Sequence, residues 1–225
     1  MTVYENGATI ENTRVIALGF FDGVHIGHRK ILAKARTEAD RLGIPLAAFT
    51  FSLNSSIKDE KRIYTESERL YLLEECGVDE VIIASFSDMK ELSGESFVKE
   101  YLIGKYGCAT SVIGRDFRFG RGAAYDADAL SLLMAEAGRK CITVDDVTIE
   151  GKRVSTTEIK EYLSAGEIDK ANRALGSPYL IISTVTHGRG VGKTLGFPAL
   201  NCDIGSQRPI RHGVYASSVI IKDKE

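Results

Sequence analysis

Five short apolar runs, at residues 15–20, 46–51, 81–86, 111–113 and 142–147, alternate with stretches of helical periodicity. Runs of that length, partly β-branched and without polar alternation, suit strands buried on both faces, as parallel sheets contain. The stretches between them read as helices. Ile31, Leu32, Ala35, Ala39 and Leu42 recur at helical spacing and end near Gly43, a C-cap. Thr65 and Glu68 make a capping box ahead of Leu70, Leu72 and Leu73, and residues 95–106 and 126–138 read as two further helices. Strand and helix alternating five times predict a doubly wound, Rossmann-like α/β domain with helices on both faces of a parallel sheet.

The pattern changes after Glu167. A helix over 168–175 ends at Gly176, Pro178 follows, and the next runs, LIISTVTHGRG and GVYASSVII, are rich in β-branched residues and glycine. The sequence therefore divides into an α/β domain over 1–177 and the start of an all-β module over 178–225. With 225 residues, 44% of them hydrophobic, the chain can bury a full core and carry such an appendage.

Charge narrows the choice of partner. Lys and Arg number 29 against 31 Asp and Glu, a formal net charge of −2, so no overall positive field draws the chain to nucleic acid or anionic lipid. A small, locally bound substrate is expected. The first residues lack the cationic start and apolar run of a signal peptide, and no stretch reaches the roughly 20 apolar residues of a membrane span, which predicts a cytoplasmic protein. Cys76, Cys108, Cys141 and Cys202 lie far apart and form no CxxC pair, so they are read as reduced thiols and no metal site is assigned.

The segment Gly19-Phe20-Phe21-Asp22-Gly23-Val24-His25-Ile26-Gly27-His28 runs from the first strand into the first helix. In an open α/β sheet, ligands bind at such strand ends. Its glycines let the backbone approach a phosphate, and the helix start presents free N–H groups with a partial positive charge. Two imidazoles flanking Gly27 can donate to phosphate oxygens. The bland alternatives are that His25 and His28 cap the helix or fill a polar corner, and that Asp22 is a turn residue. A second segment, Gly114-Arg115-Asp116-Phe117-Arg118-Phe119-Gly120, places Arg115, Arg118 and Arg121 beside two aromatic rings. It reads either as a phosphate grip with a stacking surface or as a solvated basic turn. A third, Ser155-Thr156-Thr157-Glu158-Ile159-Lys160, is a capping box whose exposed helix start can also bind phosphate.

Together with Gly192-Lys193-Thr194-Leu195-Gly196-Phe197-Pro198-Ala199-Leu200-Asn201, these segments resemble, in order, the bacterial bifunctional riboflavin kinase/FMN adenylyltransferase family, also called FAD synthetase. The resemblance implies a HIGH-type nucleotidyltransferase domain followed by a partial β-barrel, and transfer of AMP from ATP to FMN with Mg²⁺. It implies a catalytic set of His25, His28 and Asp116. ATP would meet Gly19, Phe20, Phe21, Asp22, Gly23, Gly27, Thr156, Thr157 and Lys160. The flavin would meet Arg115, Phe117, Arg118 and Phe119. Gly192, Lys193, Gly196, Pro198 and Asn201 would be the remnant of a kinase module.

Three departures qualify that expectation. The family commonly shows Phe-Glu-Pro-His-Pro where this chain has Phe51-Ser52-Leu53-Asn54-Ser55, so an ATP-side contact is absent or falls to Asn54. Lys160 stands where the family usually has Arg and lacks its two-pronged grip. The Pro-Thr-Ala-Asn run reads Pro198-Ala199-Leu200-Asn201, and the chain stops at Glu225, before the family's kinase carboxylate. Riboflavin kinase activity is therefore not expected of this chain.

A Walker A reading of Gly192-Lys193-Thr194 fails because His187 occupies the position of the first glycine and Pro198 breaks the helix that should follow. Two alternatives remain open: a cytidylyltransferase, which Val154-Ser155-Thr156-Thr157-Glu158-Ile159-Lys160 also resembles, and a flavin- or nucleotide-binding module without catalysis. An aminoacyl-tRNA synthetase shares the HIGH letters, but no KMSKS-like segment is present.

Overall fold

A computed structural model describes residues 1–5, 8–53, 61–188, 196, 199–205 and 208–221. Its centre is a six-stranded parallel sheet built from β1 (Thr2–Tyr4), β2 (Arg14–Leu18), β3 (Leu46–Phe51), β4 (Glu80–Ala84), β5 (Cys108–Gly114) and β6 (Lys140–Val144). The strand order is β1-β4-β3-β2-β5-β6, with Val15 opposite Leu46 on one side of β2 and opposite Thr110 on the other. The chain leaves β2 toward one edge through β3 and β4, then returns to β2 and builds toward the other through β5 and β6. That reversal between β2 and β5 is the topological switch at which open α/β sheets bind ligands.

All five expected strands are present, and their burial explains why they lack alternation. In β2, Val15 and Ala17 join one core cluster while Ile16 and Leu18 join the other. Both faces are therefore covered. The first cluster packs α1 (Ile26–Leu42), α2 (Glu66–Glu75), α6 (Thr156–Ala165) and α7 (Ile168–Leu175) against the sheet. On the opposite face lie α3 (Phe86–Met89), α4 (Gly94–Ser96), the π-helix Phe97–Lys105 and α5 (Ala127–Glu136).

The local signals operate as read. Gly43 caps α1 at φ 66°, a left-handed conformation that costs glycine little. Thr65 accepts the Glu68 N–H while Glu68 accepts the Thr65 N–H, a complete capping box. The helix expected over 95–106 instead passes from one α turn into π geometry. The short edge strand β1 was not anticipated, because three residues, two of them exposed, carry no periodic signal.

Beyond α7, Val185–Thr186 (β9) pairs antiparallel with Asn201–Cys202 (β10). Residues 213–221 form neither helix nor strand, since a β-rich run becomes a strand only beside a partner edge. A second small hairpin joins β7 (Thr148–Ile149) to β8 (Lys152–Arg153) and stands over the carboxyl end of the main sheet. Among the described residues no helix is long and apolar enough to cross a membrane.

Candidate active site

A cavity of about 860 Å³ opens at the carboxyl ends of β2, β5 and β6, lined there by Leu18, Gly19, Gly114 and Val144. Its size suits a small-molecule or cofactor site. Two helix N-termini border it. His25 is the N-cap of α1, and Ser155 is the N-cap of α6, its hydroxyl accepting the Glu158 N–H at 3.3 Å. Thr156 and Thr157, the first residues of α6, line the cavity, where their N–H groups have no intrahelical acceptor.

The two imidazoles are fixed against each other. His25 Nδ1 accepts the backbone N–H of His28 at 3.3 Å, and the rings stack with centroids 3.7 Å apart and planes 15° from parallel. Capping thus settles the tautomer, because a ring nitrogen that accepts carries no proton and leaves Nε2–H as the His25 donor. Burial pushes the His25 pKa down to about 4, with the field of Arg153 adding to the fall and that of Asp116 opposing it. His28 is likewise held well below its ordinary value, by burial first, then by His25 and Arg153. Both rings are neutral near pH 7.

Asp22, 1% exposed, accepts the Ile63 N–H through Oδ1 at 3.2 Å, while its Oδ2 lies 3.3 Å from Lys160 Nζ. Burial raises its pKa, and Lys160 partly offsets the rise. Lys160 therefore does not enter the cavity as a lone cation. Its charge is anchored from below by a carboxylate that is itself tied to a backbone amide. The bland reading of Asp22 as a turn residue is too small, since its partners lie far away in sequence.

Arg153, which sequence reasoning missed, occupies the cavity rim from β8. It pairs with Asp116 across the opening, and its Nε lies 3.3 Å from Asp146 Oδ1. Arg153 lies two residues before Ser155, outside the third motif. The turn at Glu150-Gly151 between Ile149 and Lys152 was the available hint, because it makes the hairpin that lifts Arg153 over the site. Arg62, also missed, lines the wall with its guanidinium 4.9 Å from the Phe20 ring centroid.

Aromatic side chains form the rest of the wall. Phe51 contacts Phe86 at 5.5 Å between centroids, Phe49 contacts Phe97 at 5.8 Å, and Phe97 contacts Phe119 at 5.5 Å. Phe117 stacks beside Phe119 at 5.8 Å. Phe119 is buried in this cluster, whereas Phe117 is half-exposed and lines the cavity.

Of the residues expected at the site, Gly19, Phe20, Asp22, Gly27, His25, His28, Asp116, Phe117, Arg118, Phe119, Thr156, Thr157 and Lys160 line this one cavity. Phe21 and Gly23 lie behind the wall. Phe21 is fully buried at φ 52° with its ring 5.1 Å from that of His28, and Gly23 faces Ile63 and Leu175. Arg115 does not line the cavity but pairs at 2.9 Å with Asp145, which does. Asn201 sits in β10, and neither it nor Gly196 borders the cavity. Asn54, Gly192, Lys193 and Pro198 fall outside the described residues.

Among the described residues no group of three or more His, Cys, Asp or Glu could hold a metal by itself. That composition fits Mg²⁺ only in its usual manner, shared between substrate phosphates and one or two carboxylates. Asp116 is more exposed than the buried Asp22 and stands at the cavity.

A family model for FAD synthetase matches residues 8–158, and one for riboflavin kinase matches residues 175–225. The bifunctional riboflavin kinase/FMN adenylyltransferase of Haemophilus influenzae is 32% identical over 220 residues, 93% of this chain and 70% of its own length. The Bacillus subtilis protein of the same name is 32% identical over 212 residues, 90% of this chain and 66% of its own length. This chain thus spans about two thirds of these relatives. A crystal structure from Streptococcus pneumoniae, described as a macrolide-efflux protein, superposes with a TM-score of 0.81 at 25% identity, covering 94% of this chain and 72% of that one. Matched by the FAD synthetase model over residues 8–158, and 32% identical to relatives along nine tenths of its length, the chain belongs to the FAD synthetase family.

Proposed function

We propose that this chain transfers the AMP moiety of ATP to FMN, giving FAD and pyrophosphate. The observation that carries the reading is the convergence, in one cavity, of a neutral stacked His pair, two helix N-termini and a half-exposed aromatic surface. The first two suit a triphosphate, and the third suits a flat ring.

In the reaction a phosphate oxygen of FMN attacks the α-phosphorus of ATP, the bond from that phosphorus to the bridging oxygen breaks, and pyrophosphate leaves. No residue need act as nucleophile. Transfer depends on alignment and on neutralising charge as it spreads over the equatorial oxygens. His25 and His28 donate as neutral imidazoles beside the α-phosphate. The Thr156 and Thr157 amides and hydroxyls hold the leaving phosphates from the α6 side, with Lys160 and Arg153 supplying positive charge. Phe117 stacks on the flavin, and Arg118 lies within reach of its phosphate. Gly19, Phe20 and Gly27 allow the nucleotide to approach the backbone closely. Mg²⁺ bound with the triphosphate would add charge neutralisation, and Asp116, once released from Arg153, would be the carboxylate to hold it.

We further assign residues 1–177 to the adenylyltransferase domain and 178–225 to the first part of a riboflavin kinase-like barrel, a division supported by the two intervals that the family models match. The activity fits a cytoplasmic enzyme acting on small molecules. Purified chain incubated with ATP, Mg²⁺ and FMN should yield FAD and pyrophosphate on chromatography, while riboflavin in place of FMN stays unphosphorylated. FMN and ATP that bind without yielding pyrophosphate would make this a binding module instead. Preference for CTP would make it a cytidylyltransferase.

A further inference from the structure

We propose that Tyr179 and Arg208, in the segment that follows the α/β domain, position Asp22 and through it the Lys160 ammonium. The assignment rests on the adenylyltransferase reading of the cavity. Its basis is Ile63, a residue bracketed by two side chains from distant parts of the chain. The Ile63 N–H donates to Asp22 Oδ1 at 3.2 Å, and the Ile63 carbonyl accepts the Tyr179 hydroxyl at 2.9 Å. Ile63 itself is fully buried. The two groups belong to the peptide units on either side of the Ile63 Cα, so a shift of the phenol reaches Asp22 through that one residue.

Tyr179 is held in turn. Its N–H donates to Asn172 Oδ1 at 2.8 Å at the end of α7, and its ring stacks on Tyr64 with centroids 5.5 Å apart. Arg208 reaches the phenol oxygen with one Nη at 3.4 Å and Glu68 Oε1 with the other at 2.7 Å. Glu68 is fully buried, and its second oxygen accepts the Thr65 N–H at the head of α2. Burial alone would raise the Glu68 pKa, but Arg208 and two backbone donors, Ile182 and Thr65, hold it below the usual range. A guanidinium only 8% exposed, paired with a carboxylate that water does not reach, is a specific clamp. A solvated rim pair would have loose geometry and little energetic weight.

The next residue on α2 continues the connection. Arg69, fully buried, donates to the Phe20 carbonyl at 3.1 Å and to the Phe51 carbonyl at 3.0 Å, tying the turn after β2 to the end of β3. The C-terminal segment thus meets the nucleotide turn twice, once through Ile63 and Asp22 and once through α2. Neither Tyr179 nor Arg208 touches the cavity, so both are positioning residues.

The test is a double-mutant cycle on the full chain. Tyr179→Phe keeps the ring and removes the hydroxyl. It should raise KM for ATP roughly three- to tenfold, the scale of one lost hydrogen bond, with kcat nearly unchanged. In a Lys160→Met background the same change should have no further effect, because the cation that Asp22 positions is gone. Arg208→Lys should restore most of what Arg208→Met loses. Hydrogen–deuterium exchange read on residues 19–24 and 61–65 gives an arm independent of activity: exchange there should rise in Tyr179→Phe, with the remaining sheet amides unchanged. Equal KM effects in both backgrounds would overturn the proposal, as would unchanged exchange in those segments. If wild-type chain makes no FAD, the adenylyltransferase reading fails, and the exchange arm alone decides the positioning. Should Arg208→Met fail to fold, Tyr179→Phe still supplies every readout.

Discussion

His25 Nδ1 accepts the backbone N–H of His28 at 3.3 Å, so the same side chain that starts α1 also sets the ring beside which its partner stacks. Capping and catalysis are therefore separable only by choice of substitution. His28→Ala should lower FAD turnover by about two to three orders of magnitude, the scale seen when a transition-state donor is removed. Its melting temperature should stay within a few degrees of wild type. His25→Ala should lose activity and about 1 kcal/mol of stability besides, because the cap goes with the ring. Denaturant titration beside initial rates separates the two. Equal loss of stability in both variants would contradict the division of labour.

Acid stability tests the burial of the same rings. The folded pKa of His25 is about 4, below its ordinary 6.5, so the unfolded chain binds a proton below pH 6.5 that the folded chain refuses. Stability from this group is complete above pH 6.5 and is lost progressively as pH falls toward 4. Between pH 7 and 5 the loss traceable to His25 should be on the order of 2 kcal/mol. His25→Asn retains a capping oxygen without the titration, so urea midpoints compared at pH 7 and 5 should show a smaller drop in that variant. Parallel curves for the two proteins would count against a buried, neutral His25.

The Asp22–Lys160 pair predicts asymmetric variants. Lys160→Met should raise KM for ATP about tenfold through the lost phosphate partner. Asp22→Asn should leave the phosphate cation in place, and both changes should lower stability, by about 1–3 kcal/mol, because each leaves one buried or partly buried charge without its counter-charge. Calorimetric binding of a non-hydrolysable ATP analogue and thermal melts distinguish these outcomes. A Lys160→Met chain that binds ATP as tightly as wild type would remove Lys160 from the phosphate site.

Two neighbouring aromatics should behave differently. Phe117→Ala should weaken FMN binding with little change in stability, since the half-exposed ring lines the cavity. Phe119→Ala should cost about 3–5 kcal/mol, as buried Phe truncations do, because its ring packs among Phe97, Phe117 and Tyr125. FMN fluorescence titration with parallel denaturation curves measures both.

What could be read from the amino-acid order alone was whatever neighbouring residues specify. The capping box of Thr65 and Glu68, the left-handed stop at Gly43 and the strand-to-helix passage at His25 are local events, and the structure contains each of them. Long-range partners were not legible. Nothing near Asp22 announces Lys160 or Ile63, and nothing near Ser155 shows that Arg153 bridges to Asp116. The strain in the motif was also hidden. The residues at positive φ are Phe21 and Val24 rather than the glycines beside them, a conformation that costs of order 1–3 kcal/mol each and persists because both side chains are locked in the core. Residues 213–221 show the converse, a strand-like composition without a strand.

The position of the ATP triphosphate decides whether the His pair is a phosphate site. A crystal structure with a non-hydrolysable ATP analogue should place the α-phosphate within hydrogen-bond reach of the His25 and His28 rings, with the outer phosphates at the Thr156 and Thr157 amides. A triphosphate bound elsewhere, with both imidazoles still stacked and untouched, would contradict it.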